Sequence, residues 1–229
     1  MLKNATHHVP RQVFRLLKEG TGGLVYFHHA SSATMPTDPK DPTLTPRVGV
    51  HDITTGLGVY FALSERCCFT AHITAHVRNR NSSTVRHTIS NLEGLDLKAQ
   101  VSDRLHATLS RMGHNVCNPG VTRPYTKRSL MMVCPGMYHK DGAEQVGVYV
   151  AQAVWEYLGL ERERYPVDEG SSGFVLEHLG RPLMFPSLSA QSGVLGGLKH
   201  LEMLVPREEV GEHICGFDFE IEAKGESSE

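Results

Sequence analysis

Short β-type runs separated by glycine- and proline-rich connections constrain the fold of this chain more than any other feature. One run covers residues 24–27 and leads into two histidines, and another covers residues 58–62 and is introduced by Gly56 and Gly58. No regular alternation of strand and helix patterns, as in a parallel βαβ protein, connects them. We therefore expect an α+β fold with mixed or antiparallel sheets and flanking helices.

The remaining patterns predict further elements with less regular spacing. Apolar periodicity and β-branched runs favour the following assignments: helices over 9–18, from Ser64 to about residue 76, over 99–112 and over 151–158, and strands over 84–90, 146–150, 174–176, 198–205 and 214–221. Residues 31–46 contain four prolines and many small polar side chains, so they are expected to form a loop that could cover a binding site as a lid.

Length and composition predict one soluble domain. The chain has 229 residues and a net charge of −2, which does not by itself call for nucleic acid or an acidic membrane as a partner. No run is long and apolar enough for a membrane span, and the N-terminus lacks a signal-like stretch. Five cysteines without a CxxC pair favour free thiols in a reducing compartment. We therefore expect a cytoplasmic or nuclear protein, or an effector delivered into cells.

The chain contains 14 histidines, but their spacing does not predict a metal site. The pair His72 and His76 would lie on one face of the predicted helix, yet a third ligand is missing from the pattern. We therefore expect no metal. The P-loop, GxGxxG and GxSxG motifs are also missing from the sequence, which weakens the commonest nucleotide-hydrolase, dehydrogenase and serine-hydrolase interpretations.

Three separated segments place reactive side chains on predicted strands. The first is His29-Ala30-Ser31, and the second is the run from Gly56 to Ala62 with Tyr60 at its centre. The third is residues 200–206, where Glu202 stands within an apolar strand. A strand alternates its faces, so Glu202 either points to solvent or, on a covered face, needs a compensating partner or a chemical role.

Together these segments resemble the ADP-ribosyltransferase superfamily, in its diphtheria-toxin and poly(ADP-ribose) polymerase-like branch with a His-Tyr-Glu triad. The run Gly56-Leu57-Gly58-Val59-Tyr60-Phe61-Ala62 is close to the Gly-x-Gly-Ile-Tyr-Phe-Ala motif of that branch. His29-Ala30-Ser31 is similar to its His-Gly-Ser, with alanine in place of glycine. The resemblance covers about fifteen residues.

The resemblance implies NAD as substrate and a role for each matching residue. Glu202 would act at the ribose 2′-hydroxyl and stabilise an oxocarbenium-like state. Tyr60 would stack on the nicotinamide with Phe69 on its other face, and Ala30 and Ser31 would hold the carboxamide. His29 would bind a ribose hydroxyl. The implied set of NAD-binding residues is His29, Ala30, Ser31, Gly58, Tyr60, Phe61, Ser64 and Phe69.

The fold implied by the resemblance is a single catalytic domain over 1–229, with split mixed or antiparallel sheets. Its core would cover about residues 22–222, with part of 115–197 as an insertion. The implied activity is mono-ADP-ribosyl transfer to an unidentified protein or nucleic-acid acceptor. Two alternatives stay open. The first is another enzyme of the same fold, either an NAD glycohydrolase or an RNA 2′-phosphotransferase, and the phosphotransferase would rely on Arg123, Lys127 and Arg128. The second is a noncatalytic nucleotide-binding module.

Overall fold

A computed structural model describes residues 12–27, 47–65, 67–78, 85–111, 124–135, 145–162, 166–177, 179–186, 204–208 and 214–223. The fold is α+β, as predicted. The strands are β1 (Gln12–Leu16), β2 (Thr21–Tyr26), β3 (Arg47–Val50), β4 (Leu57–Ser64), β5 (Cys67–Arg78), β6 (Val85–Arg86), β7 (Met131–Val133), β8 (Ser171–Glu177), β9 (Leu183–Pro186), β10 (Leu204–Glu208), β11 (Ile214–Gly216) and β12 (Asp218–Glu222). The helices are α1 (Asn91–Arg111), α2 (Pro124–Ser129) and α3 (Val146–Leu158).

The strands form two mixed sheets. The first sheet has the order β10-β1-β3-β8-β9, and the second has the order β11-β2-β5-β4-β7, with β12 and β6 also paired to β5. The strand β10 lies parallel to β1, and β3 lies antiparallel to β8. In the second sheet β5 is antiparallel to both β2 and β4, so it forms the spine of that sheet.

The second sheet is covered on both faces. On one face, alternate residues of β4 and β5 pack against α1 and α3, for example Phe61 and Phe69. On the other face, Val25, Tyr60 and Cys68 pack against Val48 and Phe174 of the first sheet. The molecule is therefore layered as sheet, sheet and helices, with one apolar core on each side of the central sheet.

The prediction of a helix from Ser64 to about residue 76 is wrong, because this segment forms β5. Odd-numbered residues from Cys67 to Val77 are all apolar and face the helices. The even-numbered positions between them carry small, polar or basic side chains, including Thr70 and His72. This period of two is the signal of a strand, and it outweighs the helix-cap pattern at Ser64.

Other predicted elements also differ from the structure. The segment predicted as a helix over 9–18 contains the strand β1, whose backbone pairs with β10 and β3. Residues 146–150 start the helix α3 and do not form a strand, because burial between α1 and β5 outweighs the β-propensity of its valines. The predicted strand 198–205 stops before Pro206, but Pro206 lies inside β10. The strand β10 is at the edge of its sheet, where proline is tolerated.

Several predictions are confirmed. Residues 24–27 largely coincide with β2, residues 58–62 lie in β4, and residues 174–176 lie in β8. The predicted end of α3 at Gly159 is also confirmed, because Gly159 adopts a left-handed φ of 63° and caps the helix. The segment 214–221 is extended but consists of two strands, because Phe217 separates the pairing of β11 with β2 from that of β12 with β5.

The helix α1 begins eight residues earlier than predicted. Its start carries a capping box, in which the Ser90 backbone N–H donates to Glu93 at 2.8 Å. The buried Glu93 carboxylate also accepts from Arg86 at 2.6 Å. In the part of the chain that the structure describes, no helix is long and apolar enough to cross a membrane.

Candidate active site

Tyr60 lies in the middle of β4, on the face that looks toward the first sheet. It is opposite Thr70 of β5 on one side and Met131 of β7 on the other. The side chain is only 1% exposed, and its hydroxyl accepts a hydrogen bond of 3.2 Å from the backbone N–H of Leu179. Burial, assisted by the neighbouring Cys68 thiol, raises the pKa of Tyr60 above its ordinary value, so the hydroxyl stays protonated.

A cleft of about 720 Å³ adjoins the buried side chain of Tyr60, which is one of its lining residues. This volume lies within the roughly 300–1,000 Å³ that is usual for small-molecule sites. The lining is mainly apolar with a few polar groups, and it consists of Tyr60, Tyr125, Arg128, Ser129, Leu130, Met131, Leu176, Leu179, Gly180 and Pro182. We call this space the Tyr60 cleft.

The turn between β8 and β9 forms one wall of the Tyr60 cleft. Leu179 in this turn is 47% exposed and has a φ of 58°, which is unfavourable for a residue with a side chain. The same turn is closed by a hydrogen bond of 2.8 Å from Gly180 N–H to the Glu177 carbonyl. Strained backbone of this kind is common where a surface is shaped for a ligand.

The short helix α2 forms the opposite wall, because it completes the hydrogen bonding of β4. The strand β7 pairs with β4 only as far as Tyr60. Beyond that point the Thr126 hydroxyl donates to the Ala62 carbonyl at 2.9 Å, and the Ser129 hydroxyl accepts from the Ala62 N–H at 2.8 Å. These two bonds fix α2 against the strand that carries Tyr60.

The helix α2 presents two side chains to the cleft that are not among the residues that the resemblance implies for NAD binding. Tyr125 is 39% exposed and its hydroxyl donates to Glu65 at 3.1 Å, which raises the pKa of Tyr125. Arg128 is exposed at the rim. No sequence signal pointed to Tyr125, because it lies 65 positions from Tyr60 and is brought there only by the pairing of β4, β7 and α2.

A second cleft of about 620 Å³ adjoins the Tyr60 cleft. The two clefts share the lining residues Arg128, Leu130, Met131 and Pro182. The second cleft is further lined by Lys127, Met132, Pro166, Val167, Asp168 and Met184. The Asp168 carboxylate accepts three hydrogen bonds from the loop that carries it, two from backbone N–H groups and one from the Ser171 hydroxyl.

The structure does not bring Phe69 to Tyr60. The Phe69 ring is fully buried on the helix-facing side of the sheet, stacked on Phe61 with ring centroids 4.9 Å apart. Tyr60 faces the other side, since successive residues of a strand point to opposite faces. The expectation that Phe69 stacks against nicotinamide opposite Tyr60 is therefore corrected, and Phe61 likewise lies in the helix-facing core.

Two other predicted residues, Gly58 and Ser64, also fall outside the lining of the two clefts. A Cβ atom at Gly58 would lie 2.4 Å from Ile53 Cδ1 and 2.8 Å from Val50 Cγ2. Core side chains therefore already fill the space that a side chain at this position would need. Ser64 ends β4, just after an irregularity in its pairing with β5. The structure gives Gly58 a packing role between the sheets.

The other predicted site residues lie outside the described residues. These are His29, Ala30 and Ser31, which follow β2 in sequence, and Glu202, which precedes β10. The predicted lid over 31–46 also lies outside the described residues. Their roles therefore stay predictions.

His72 lies in β5 on the same face as Tyr60, and it is 2% exposed. Its Nε2 atom is buried without a hydrogen-bond partner among the described residues. The pKa of His72 is lowered to about 4, mainly by burial. The neighbouring His51 also lowers it, whereas Asp52 raises it. The imidazole is therefore neutral at pH 7.

Acidification should destabilise the protein through His72. Because the pKa is about 4 when folded and 6.5 in the reference state, the unfolded chain binds the proton more tightly. The contribution to stability is complete above pH 6.5 and is lost as the pH falls toward 4, by about 3 kcal/mol. Urea unfolding at several pH values should show that the free energy of unfolding falls with the pH, and His72→Leu should flatten this slope. The exposed-site control His106→Leu should keep the wild-type slope, and an unchanged slope in His72→Leu would contradict the assignment.

The prediction that His72 and His76 lie on one face of a helix is also wrong. Both residues lie in a strand, with His72 buried and His76 near two carboxylates, 3.7 Å from Asp218 and 3.5 Å from Glu220. Within the ranges that the structure describes, no group of three or more His, Cys, Asp or Glu side chains has an arrangement that could hold a metal ion.

Comparisons of the chain with family models, with curated proteins and with solved structures find no match. Function is therefore inferred from the motif around Tyr60 and from the geometry of the two clefts.

Proposed function

We propose that this protein is an NAD-dependent mono-ADP-ribosyltransferase that binds the nicotinamide and its ribose in the Tyr60 cleft. The acceptor is a protein or a nucleic acid. The proposal includes the finer fold assignment, an ADP-ribosyltransferase-like arrangement of the two sheets, which the observed α+β architecture permits.

One observation carries the proposal. The tyrosine of the Gly-Leu-Gly-Val-Tyr-Phe-Ala run, which the resemblance assigns to nicotinamide binding, lines a cleft of ligand size. A hydrogen bond from Leu179 fixes the Tyr60 hydroxyl and hence the orientation of the ring. Tyr125 supplies a second aromatic side chain in the same cleft, and we infer that it has the stacking role that the resemblance implies for Phe69.

The reaction breaks the bond between nicotinamide N1 and the ribose anomeric carbon. Nicotinamide leaves with the bonding electron pair, and positive charge develops on the ribose. Under the proposal Glu202 stabilises this charge through the 2′-hydroxyl, while His29 and the backbone of Ala30 fix the bound NAD. A nucleophilic oxygen or nitrogen of the acceptor then bonds to the anomeric carbon and loses its proton.

An assay with two labels tests the proposal. NAD labelled separately on nicotinamide and on adenine is incubated with the full chain, with and without cell lysate. The proposal predicts nicotinamide release together with adenine label covalently attached to a macromolecule. Release with free ADP-ribose as the only other product would identify a glycohydrolase instead. Absence of release in every condition would contradict both enzymatic functions and leave a noncatalytic binding module.

Replacing Tyr125 with alanine should raise KM for NAD about three- to tenfold, because an aromatic contact contributes roughly 0.5–1.5 kcal/mol beyond its buried area. The partly exposed position of Tyr125 makes a folding defect small. Tyr125→Phe keeps the ring and removes the hydrogen bond to Glu65, so it should preserve KM within twofold. Equal effects of both variants would show that the hydroxyl, and not the ring, is what binding needs.

A further inference from the structure

The two adjoining clefts suit a ligand in which two flat ring systems are joined by an anionic group. Arg128 is exposed and lines both clefts. Tyr125 lines the Tyr60 cleft, Met184 lines the second cleft, and Met131 lines both. A guanidinium placed between two mainly apolar spaces suits a phosphate group that links two ring systems.

The salt bridges among the described residues do not include Arg128. Asp168, the acidic residue of the second cleft, is held by the three hydrogen bonds of its own loop. Lys127, the neighbour of Arg128 on α2, adds a second exposed cation to the second cleft.

The backbone under Arg128 is fixed. Thr126 and Ser129, which flank it in α2, bond to both polar backbone atoms of Ala62. The strand that carries Tyr60 therefore also sets the position of the Arg128 backbone relative to the Tyr60 cleft. Because the two clefts share four lining residues, including Arg128, one ligand could extend through both.

We propose that Arg128 binds the pyrophosphate of a dinucleotide that spans both clefts, with the adenosine half in the second cleft. This inference rests on the proposed function for the nicotinamide half, and it adds the residue and the cleft that hold the rest of the ligand. Adenine is a flat, polarisable ring, and the thioethers of Met131 and Met184 are suited to contact it. The ligand class is a dinucleoside diphosphate or an ADP-ribose.

Equilibrium binding to Arg128→Gln tests this inference, with Arg181→Gln as the matched control. Arg181 is also exposed and stands between two cleft residues, Gly180 and Pro182, but it lines neither cleft. Calorimetry with the full chain should show NAD and ADP-ribose binding weakened about 10- to 100-fold by Arg128→Gln, since hydrogen bonds to charged groups contribute about 1.5–3 kcal/mol. Arg181→Gln should change neither affinity by more than twofold.

Free nicotinamide is the second probe, because it lacks phosphate. Thermal shifts with nicotinamide should be the same for the wild type and Arg128→Gln, and a loss here would overturn the pyrophosphate role by pointing to a general disruption. Equal NAD affinities in Arg128→Gln and Arg181→Gln, with nicotinamide release intact, would overturn this inference and leave the proposed function standing. A wild type that neither binds NAD nor releases nicotinamide would overturn both.

Discussion

Replacing Glu202 with glutamine should lower the rate of nicotinamide release about 100- to 1,000-fold. Glutamine keeps the size and hydrogen-bonding capacity of the side chain but removes the negative charge that the oxocarbenium-like state needs. Loss of one group that stabilises charge in a transition state typically costs this much in rate. Because the charge develops only as the bond breaks, the affinity for NAD should change by less than threefold.

Single-turnover kinetics with labelled NAD, together with calorimetric binding, separate these two effects. Glu177→Gln is the matched control, because Glu177 stands two residues before Leu179 and its carboxylate is held by Arg47 at 2.8 Å. This control should keep the release rate within twofold. A Glu202→Gln protein that releases nicotinamide at the wild-type rate would show that another carboxylate is responsible, and a rate loss in Glu177→Gln would indicate which one.

Replacing Gly56 with alanine should destabilise the fold by about 4 kcal/mol. Gly56 has a φ of 91°, which costs a residue with a side chain about 1–2 kcal/mol. An added Cβ would also lie 2.1 Å from the Ile73 carbonyl oxygen and 3.1 Å from its carbon. Both atoms belong to the backbone of β5, so the strand itself must shift, and overpacking of this kind costs about 1–3 kcal/mol more.

Urea unfolding followed by circular dichroism measures this loss as a lower midpoint with an unchanged slope. Gly170→Ala is the control, because an added Cβ there would meet only an Asp168 oxygen at 3.7 Å. Its midpoint should match that of the wild type. A Gly56→Ala protein as stable as the control would mean that the first glycine of the motif has no essential role in the turn into β4.

The sequence predicted the fold class and the strand that carries Tyr60 because these depend on local signals. The run 58–62 is apolar and is introduced by Gly56 and Gly58, and this pattern indicates a strand whatever surrounds it. The strand β5 shows the limit of this approach. Its two-residue periodicity is present in the sequence, but Ser64 and Glu65 are also residue types that favour the first turn of a helix.

The errors at β1 and α3 have a different physical cause. A short apolar segment becomes strand or helix according to what covers it, and the partners of β1 are β3 and β10, far away in the chain. The valines of α3 favour a strand by propensity, but ten residues of this helix are buried, most of them against α1 and the central sheet. Tertiary contacts of this kind outweigh local preference.

The candidate site was predictable only in part for the same reason. Tyr60 is part of a recognisable motif, whereas Tyr125 and Arg128 reach the cleft only through the pairing of α2 with β4. Phe69 follows Tyr60 by nine residues in the sequence. In the structure it lies in β5 opposite Phe61, on the other face of the sheet from Tyr60, which only the register of β4 and β5 reveals.

The most direct test of the account is a crystal structure of the full chain with a carbocyclic NAD analogue, which cannot form the oxocarbenium-like state. The account predicts the nicotinamide ring in the Tyr60 cleft, in contact with both Tyr60 and Tyr125. An analogue bound elsewhere on the protein, with the Tyr60 cleft empty, would contradict it.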